Sequence, residues 1–129
     1  MQLFINKYPN SGLRNDANDI IAQLRHKLER KSFENAKLYY QLEDYLAASI
    51  ALKNSLKEYP DSKYREELFY LVVKSNFLLA ENSIKSKQAE RYQNTISEYY
   101  AFIDEFPNSQ YLKEIEKMYT SSVNHIKTL

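Results

Sequence analysis

The stretch Ser55-Leu56-Lys57-Glu58-Tyr59-Pro60-Asp61-Ser62 decides how this sequence folds, because the chain writes it three times. It stands upstream as Phe4-Ile5-Asn6-Lys7-Tyr8-Pro9-Asn10-Ser11 and downstream as Phe102-Ile103-Asp104-Glu105-Phe106-Pro107-Asn108-Ser109. All three prolines of the chain, 51 and then 47 residues apart, therefore fall in this mark. An aromatic residue ends an apolar stripe. Proline then stops the helix, because it lacks an N–H and restricts the residue before it. Asn or Asp makes the turn. The serine two places after proline is expected to accept a backbone N–H as the N-cap of the next helix, a contact worth about 1 kcal/mol. Tyr59 is expected to be buried where its helix closes.

Between the marks, apolar residues recur at helical spacing. Leu13, Ala17, Ile20, Ile21, Leu24 and Leu28 share one face of a helix predicted over residues 12–30. Ser32 is read as the cap of a shorter second helix carrying Phe33, Ala36, Tyr39 and Tyr40. Tyr45, Ala48, Leu52, Leu56 and Tyr59 form the third stripe, and Tyr64, Leu68, Leu71, Val72, Ser75, Leu78 and Leu79 the fourth. The polar stretch 81–91 reads as a loop or a solvated turn of helix. A fifth helix carries Tyr92, Ile96, Tyr99, Ile103 and Phe106, and a sixth Leu112, Ile115, Tyr119, Ser122 and Ile126. Six amphipathic helices with short connections suit a closed bundle or an open stack of antiparallel pairs, and the repeated mark favours the stack.

Composition agrees. One glycine and three prolines in 129 residues leave little material for hairpins or glycine-rich phosphate cradles. With 18 Lys and Arg against 17 Asp and Glu, the net charge of +1 gives no broad field for nucleic acid or anionic lipid. The absence of cysteine removes disulfides, thiolate zinc sites and cysteine nucleophiles, and fits cytosol and periplasm equally. No apolar run approaches the roughly 20 residues that span a bilayer. The first residues, Met1 to Lys7, lack the pattern of a signal sequence and read as the end of a preceding repeat.

The segment from Ala36 through Tyr39, Ala48, Leu52 and Ser55 to Pro60 resembles one full tetratricopeptide repeat, with Leu42-Glu43-Asp44 where that repeat commonly has glycine. The order is narrower still. Tyr8-Pro9-Asn10-Ser11, a long helix, Ser32-Phe33-Glu34-Asn35-Ala36-Lys37-Leu38-Tyr39-Tyr40, Asp44-Tyr45-Leu46-Ala47-Ala48 and Glu58-Tyr59-Pro60-Asp61-Ser62 together resemble the BamD (YfiO) family over residues 4–82. Tyr99 to Tyr111 repeats the family's aromatic mark. The resemblance implies an all-α, right-handed solenoid of antiparallel helix pairs, forming one repeat domain over residues 1–129. It also implies a lipid-anchored protein at the periplasmic face of the outer membrane, its anchor lying upstream. Its carboxy-terminal repeats would dock onto periplasmic domains of the barrel-forming assembly subunit, and other assembly lipoproteins are further expected partners.

Chemistry is thinly supplied, and no catalytic, cofactor or metal residue is assigned. His26 and His125 are isolated imidazoles, read as surface residues. Glu43-Asp44, Glu66-Glu67 and Asp104-Glu105 are adjacent carboxylates that point about 100° apart on a helix and cannot share a proton. Arg25-His26-Lys27 with Arg30 and Lys31 are read as cations complementing a helix C-terminus rather than as a binding stripe. Lys53, Lys57 and Arg65, beside the second mark, are candidate partner-binding residues. In Tyr39-Tyr40 and Tyr99-Tyr100 one member of each pair must leave the stripe. Tyr40 and Tyr100 are the candidates for a partner surface, where tyrosine is enriched. Two functions follow: a non-catalytic scaffold of outer-membrane barrel assembly, or a generic tetratricopeptide adaptor holding a peptide in its concave groove.

Overall fold

The computed structural model describes residues 12–128, and all the secondary structure there is helical. Five helices follow in order: α1 Gly12–Gln41, α2 Tyr45–Glu58, α3 Arg65–Glu81, α4 Lys85–Glu105 and α5 Leu112–Thr128. Each packs on the next, and α3 also meets α1 and α5, whereas α2 and α4 do not approach one another. The result is a stack of antiparallel pairs, α1 with α2 and α3 with α4, with α5 opening a further unit. The first of the three marks lies outside the described residues.

The two remaining marks fold alike. Tyr59 and Phe106 end α2 and α4 with nearly the same backbone, φ −128°, ψ 69° and φ −126°, ψ 67°. Their N–H groups donate to the carbonyls of Ser55 and Phe102. Ser62 and Ser109 then accept from the N–H two residues on, at Tyr64 (3.0 Å) and Tyr111 (3.1 Å). The serines therefore order a lead-in turn and are not the N-cap itself, since α3 and α5 begin three residues after them. Tyr59 is half-buried, with the Arg25 guanidinium 5.5 Å from its ring centre, and not fully enclosed as its stripe suggests.

The helices predicted over 12–30 and from Ser32 onward are one. Ser32 lies inside α1 and donates its hydroxyl to Ser55 Oγ of α2 at 2.9 Å, so it has a tertiary partner and breaks nothing. The polar stretch 81–91 is the last residue of α3, a turn over 82–84 and the first turns of α4. Its side chains serve the end of α3: Gln88 Nε2 donates to the Ala80 carbonyl at 3.2 Å, and Arg91 reaches Ser83 Oγ. Carbonyls at a helix end have no partner within the helix, and polar residues from the next helix supply donors there.

The α1–α2 turn shows what replaces the missing glycine. Glu43 N–H donates to the Tyr40 carbonyl and Asp44 N–H to that of Tyr39, both at 3.0 Å, closing a Schellman motif with Glu43 in the left-handed region at φ 63°. Asp44 then caps α2 through Ala47 N–H at 3.3 Å. A residue with a Cβ pays about 1–2 kcal/mol at such a φ, and glycine's greater freedom when unfolded offsets part of that. Glu43→Gly is therefore expected to stabilise by about 0.5–1 kcal/mol, seen as a higher midpoint in urea denaturation; a lower midpoint would contradict this account.

Two apolar clusters share α3. One joins Phe33 and Ala36 of α1, Ala48 and Leu52 of α2, and Leu68, Leu71 and Val72 of α3. The other joins Val73 of α3, Tyr99 and Phe102 of α4, and Ile115 and Met118 of α5. The small residues at Ala36 and Ala48, each almost fully buried, let neighbouring helices close on larger partners. Because α2 is 14 residues long and α1 is 30, only the second half of α1 is covered by α2. Hence Ile20 and Leu24, expected in the core, are each about half exposed at 48% and 51%, whereas Leu28, also expected there and exposed at 54%, lies in the covered half but off the face that buries Glu29, Phe33 and Ala36.

Candidate functional site

Between the first helices of successive pairs the chain builds the same contact twice. Phe33 of α1 stacks on Tyr64 before α3, with ring centres 4.5 Å apart and planes within 4°. One turn on, Lys37 lies 5.4 Å from the Phe33 ring centre and pairs with Glu67 at 3.0 Å. At the next junction Tyr70 stacks on Tyr111 at 4.1 Å and 10°, while Lys74 lies 5.6 Å from the Tyr70 ring and 3.6 Å from Glu114. In each clasp an aromatic residue and a lysine four places later meet a tyrosine and a glutamate three places later. Tyr70 also donates its hydroxyl to Glu114, and Lys74 donates to Tyr70 at 3.2 Å. These groups are spent on one another, which closes the surface between α1, α3 and α5.

Burial, reinforced by the Glu114 carboxylate, pushes the Tyr70 phenol up to about 12. Burial likewise raises Tyr45, Tyr92, Tyr99 and Tyr111. A phenol whose folded pKa exceeds the unfolded value of about 10 favours the fold while protonated. That contribution is complete below about pH 10 and is lost as pH rises through about 12. Denaturant midpoints are expected to fall over this window, and less steeply in Tyr70→Phe; an unchanged slope in that variant would show that the clasp does not carry the effect.

The candidate residues are differently engaged. Lys53, about half exposed, pairs with Glu98 of α4 across the α2–α4 gap. Lys57 lies one turn further along α2, exposed and with no carboxylate partner among the described residues. Arg65 makes a two-pronged pair with Glu105, at 2.9 and 2.7 Å, tying the start of α3 to the end of α4. Tyr40 is half-buried against the first cluster, 5.8 Å from Tyr45, and its exposed neighbour is Tyr39 at 44%. The residue that leaves the stripe is thus Tyr39, because Tyr40 sits one turn from Ala36 on the inward face. Tyr100 is exposed at 52%, as expected of an off-stripe residue, and its hydroxyl lies 2.9 Å from that of Tyr119.

The basic run of α1 needs a different explanation, because α1 continues to Gln41 and has no C-terminus at Lys31. Carboxylates one turn on pair with part of it instead. Arg25 and His26 lie 3.4 and 3.7 Å from the buried Glu29, and Arg30 lies 3.1 Å from Glu34. His125 is exposed and stacks on Tyr92 at 4.7 Å.

Two further surfaces were not singled out from sequence. A cleft of about 490 Å³ lies between α2 and α4, floored by Asn76 and Leu79 of α3. On α5, the polar residues Lys113, Glu116, Lys117, Thr120, Ser121, Asn124 and His125 line an outward face. Shifted by the 47 residues between the last two marks, the matching α3 positions are Glu66, Phe69, Tyr70, Val73, Lys74, Phe77 and Leu78, which belong largely to the second core.

A family model described as outer membrane lipoprotein, YfiO, matches this chain over residues 1–90 and again over residues 32–126. Two overlapping matches to one model are the mark of a sequence that resembles itself at a displaced register. No curated protein matches the chain.

Proposed function

This chain belongs to the YfiO family of outer membrane lipoproteins, and from that premise we propose that it is a non-catalytic scaffold of the machinery that assembles β-barrels into the outer membrane. It works at the periplasmic face, held by a lipid anchor upstream. The chain acts as one repeat domain. Its partners are the periplasmic domains of the barrel-forming subunit and other lipoproteins of that machine.

The observation that carries this reading is the pair of clasps joining successive repeats within a chain of this family. A stack whose units are tied by stacked rings and ion pairs holds its faces in fixed relation, which lowers the ordering cost of binding a partner. Lys57 and Tyr100 are the exposed candidates for contact, and Lys53 and Arg65 contribute once their pairing with Glu98 and Glu105 is exchanged for a partner's carboxylate.

Calorimetric titration of the chain with the cognate periplasmic domains tests this. Saturable binding is expected. Replacing Lys53, Lys57 and Arg65 together by glutamate should slow association and weaken its salt dependence while the helical circular dichroism persists. No binding by a folded chain up to about 1 mM would limit any interaction to less than roughly 4 kcal/mol and would favour the generic peptide adaptor instead.

A further inference from the structure

We propose that the cleft between α2 and α4 is a binding site for an extended peptide segment in which an acidic side chain adjoins an apolar one. The inference goes beyond the scaffold reading, with which it shares Lys53 and its pair with Glu98.

The floor supplies the first argument. Asn76 is 93% buried; its Oδ1 accepts from Ser49 Oγ at 3.1 Å, but its Nδ2 has no partner. A buried amide donor left unmade costs about 1–3 kcal/mol and is uncommon in folded proteins. The Nδ2 atom is sealed as the cleft stands, so a ligand's carbonyl or carboxylate oxygen recovers that cost only where the walls part above it.

The walls supply the second. Lys53 from α2 and Lys87 and Arg91 from α4 line the cleft, against Glu90 and Glu98. Lys53 is held by Glu98 and Arg91 by Ser83, while Lys87 has no carboxylate partner among the described residues. The lining thus carries one more cation than anion, together with the amide of Asn94. Leu46 and Leu79 add an apolar end, and Leu46, half exposed, is continued one turn on by the exposed Ile50. A carboxylate beside an apolar side chain complements this lining, and a lysine-rich segment does not.

Shape supplies the third. Along α4 the lining runs from Lys87 to Glu98, about 16 Å at 1.5 Å per residue, a length that accommodates about five residues of extended peptide. The two walls do not pack together, and the Lys53–Glu98 pair is the ion pair that spans them among the described residues. Parting it widens the cleft above Asn76.

The test uses the whole chain and a fluorescein-labelled hexapeptide alternating glutamate and leucine, with counterparts in which glutamine or lysine replaces glutamate, titrated by anisotropy. The glutamate peptide should bind, about tenfold more tightly than the glutamine one, with the lysine peptide weakest. Lys87→Glu, at an exposed position that leaves the core intact, should weaken the glutamate peptide about tenfold. Glu98→Gln, which frees Lys53, should tighten it. The side-chain amide resonances of Asn76 should shift on binding, and Lys117→Glu on α5 should change nothing. Equal affinity for the three peptides, an undiminished affinity in Lys87→Glu, still Asn76 resonances, or no binding to the folded chain would each overturn the proposal.

Discussion

Phe102→Ala is expected to destabilise the protein by about 3–5 kcal/mol, the range for deleting a buried aromatic side chain. Phe102 is fully buried on α4, meets Phe69 edge-on at 5.6 Å and lies 5.3 Å from Phe106 at the closing mark. Removing the ring takes away the surface against which α3, α4 and the mark converge, and the neighbouring Tyr99 and Met118 are themselves held in place by α5. The cavity therefore cannot collapse cheaply. Since a domain of this size has about 5–15 kcal/mol of stability in all, urea denaturation should show a large fall in midpoint. A loss below about 1 kcal/mol would mean that α5 and α4 repack without the ring.

Leu68→Ala is expected to cost about 2–5 kcal/mol, and it probes the other cluster. Leu68 is fully buried in the first turn of α3, among Phe33 and Ala36 of α1 and Ala48 and Leu52 of α2. Ala36 and Ala48 cannot extend to fill the space, because their size is what brings the helices together. As α3 supplies Leu68 to one cluster and Val73 to the other, the loss should shift one cooperative transition for the whole stack and not melt the first pair alone. Far-ultraviolet dichroism and tyrosine fluorescence should report the same midpoint; separate midpoints would show that the clusters are independent.

The helical stack was legible because its signals are local. Pro60 and Pro107 stop helices for reasons contained in four residues, and the stripes of α3 and α5 follow from spacing alone. The continuity of α1 was not legible through Ser32, whose hydroxyl could cap a helix locally or bond another helix; its choice of Ser55 depends on where α2 lies. The absence of Pro and Gly between residues 13 and 59 was the available cue. Exposure of Ile20 and Leu24 was hidden for a related reason, since a stripe shows which face is apolar but not whether a neighbour is long enough to cover it. At the candidate site, Lys53 and Arg65 appeared as free cations because Glu98 and Glu105 lie more than 39 residues away in sequence. The clasps did leave a trace: Tyr64 with Glu67 and Tyr111 with Glu114 repeat at the 47-residue interval of the marks.

The polar outward face of α5 bears on how these molecules behave in a crowd. Stacked helix pairs add units by a single rule, and any such stack with two complementary apolar ends can join copies head to tail into an open filament. Lys113, Glu116, Lys117, Thr120, Asn124 and His125 put charged and hydrated groups where α3 offers Phe69, Val73 and Phe77 to its neighbour. A second copy arriving there, even one leading with the exposed Ile20, Leu24 and Leu28 of its α1, would have to strip water from two lysines and a glutamate. Apolar docking of a second copy on the outward face of α5 is thus disfavoured by side chains of which only His125, stacked on Tyr92, touches the core.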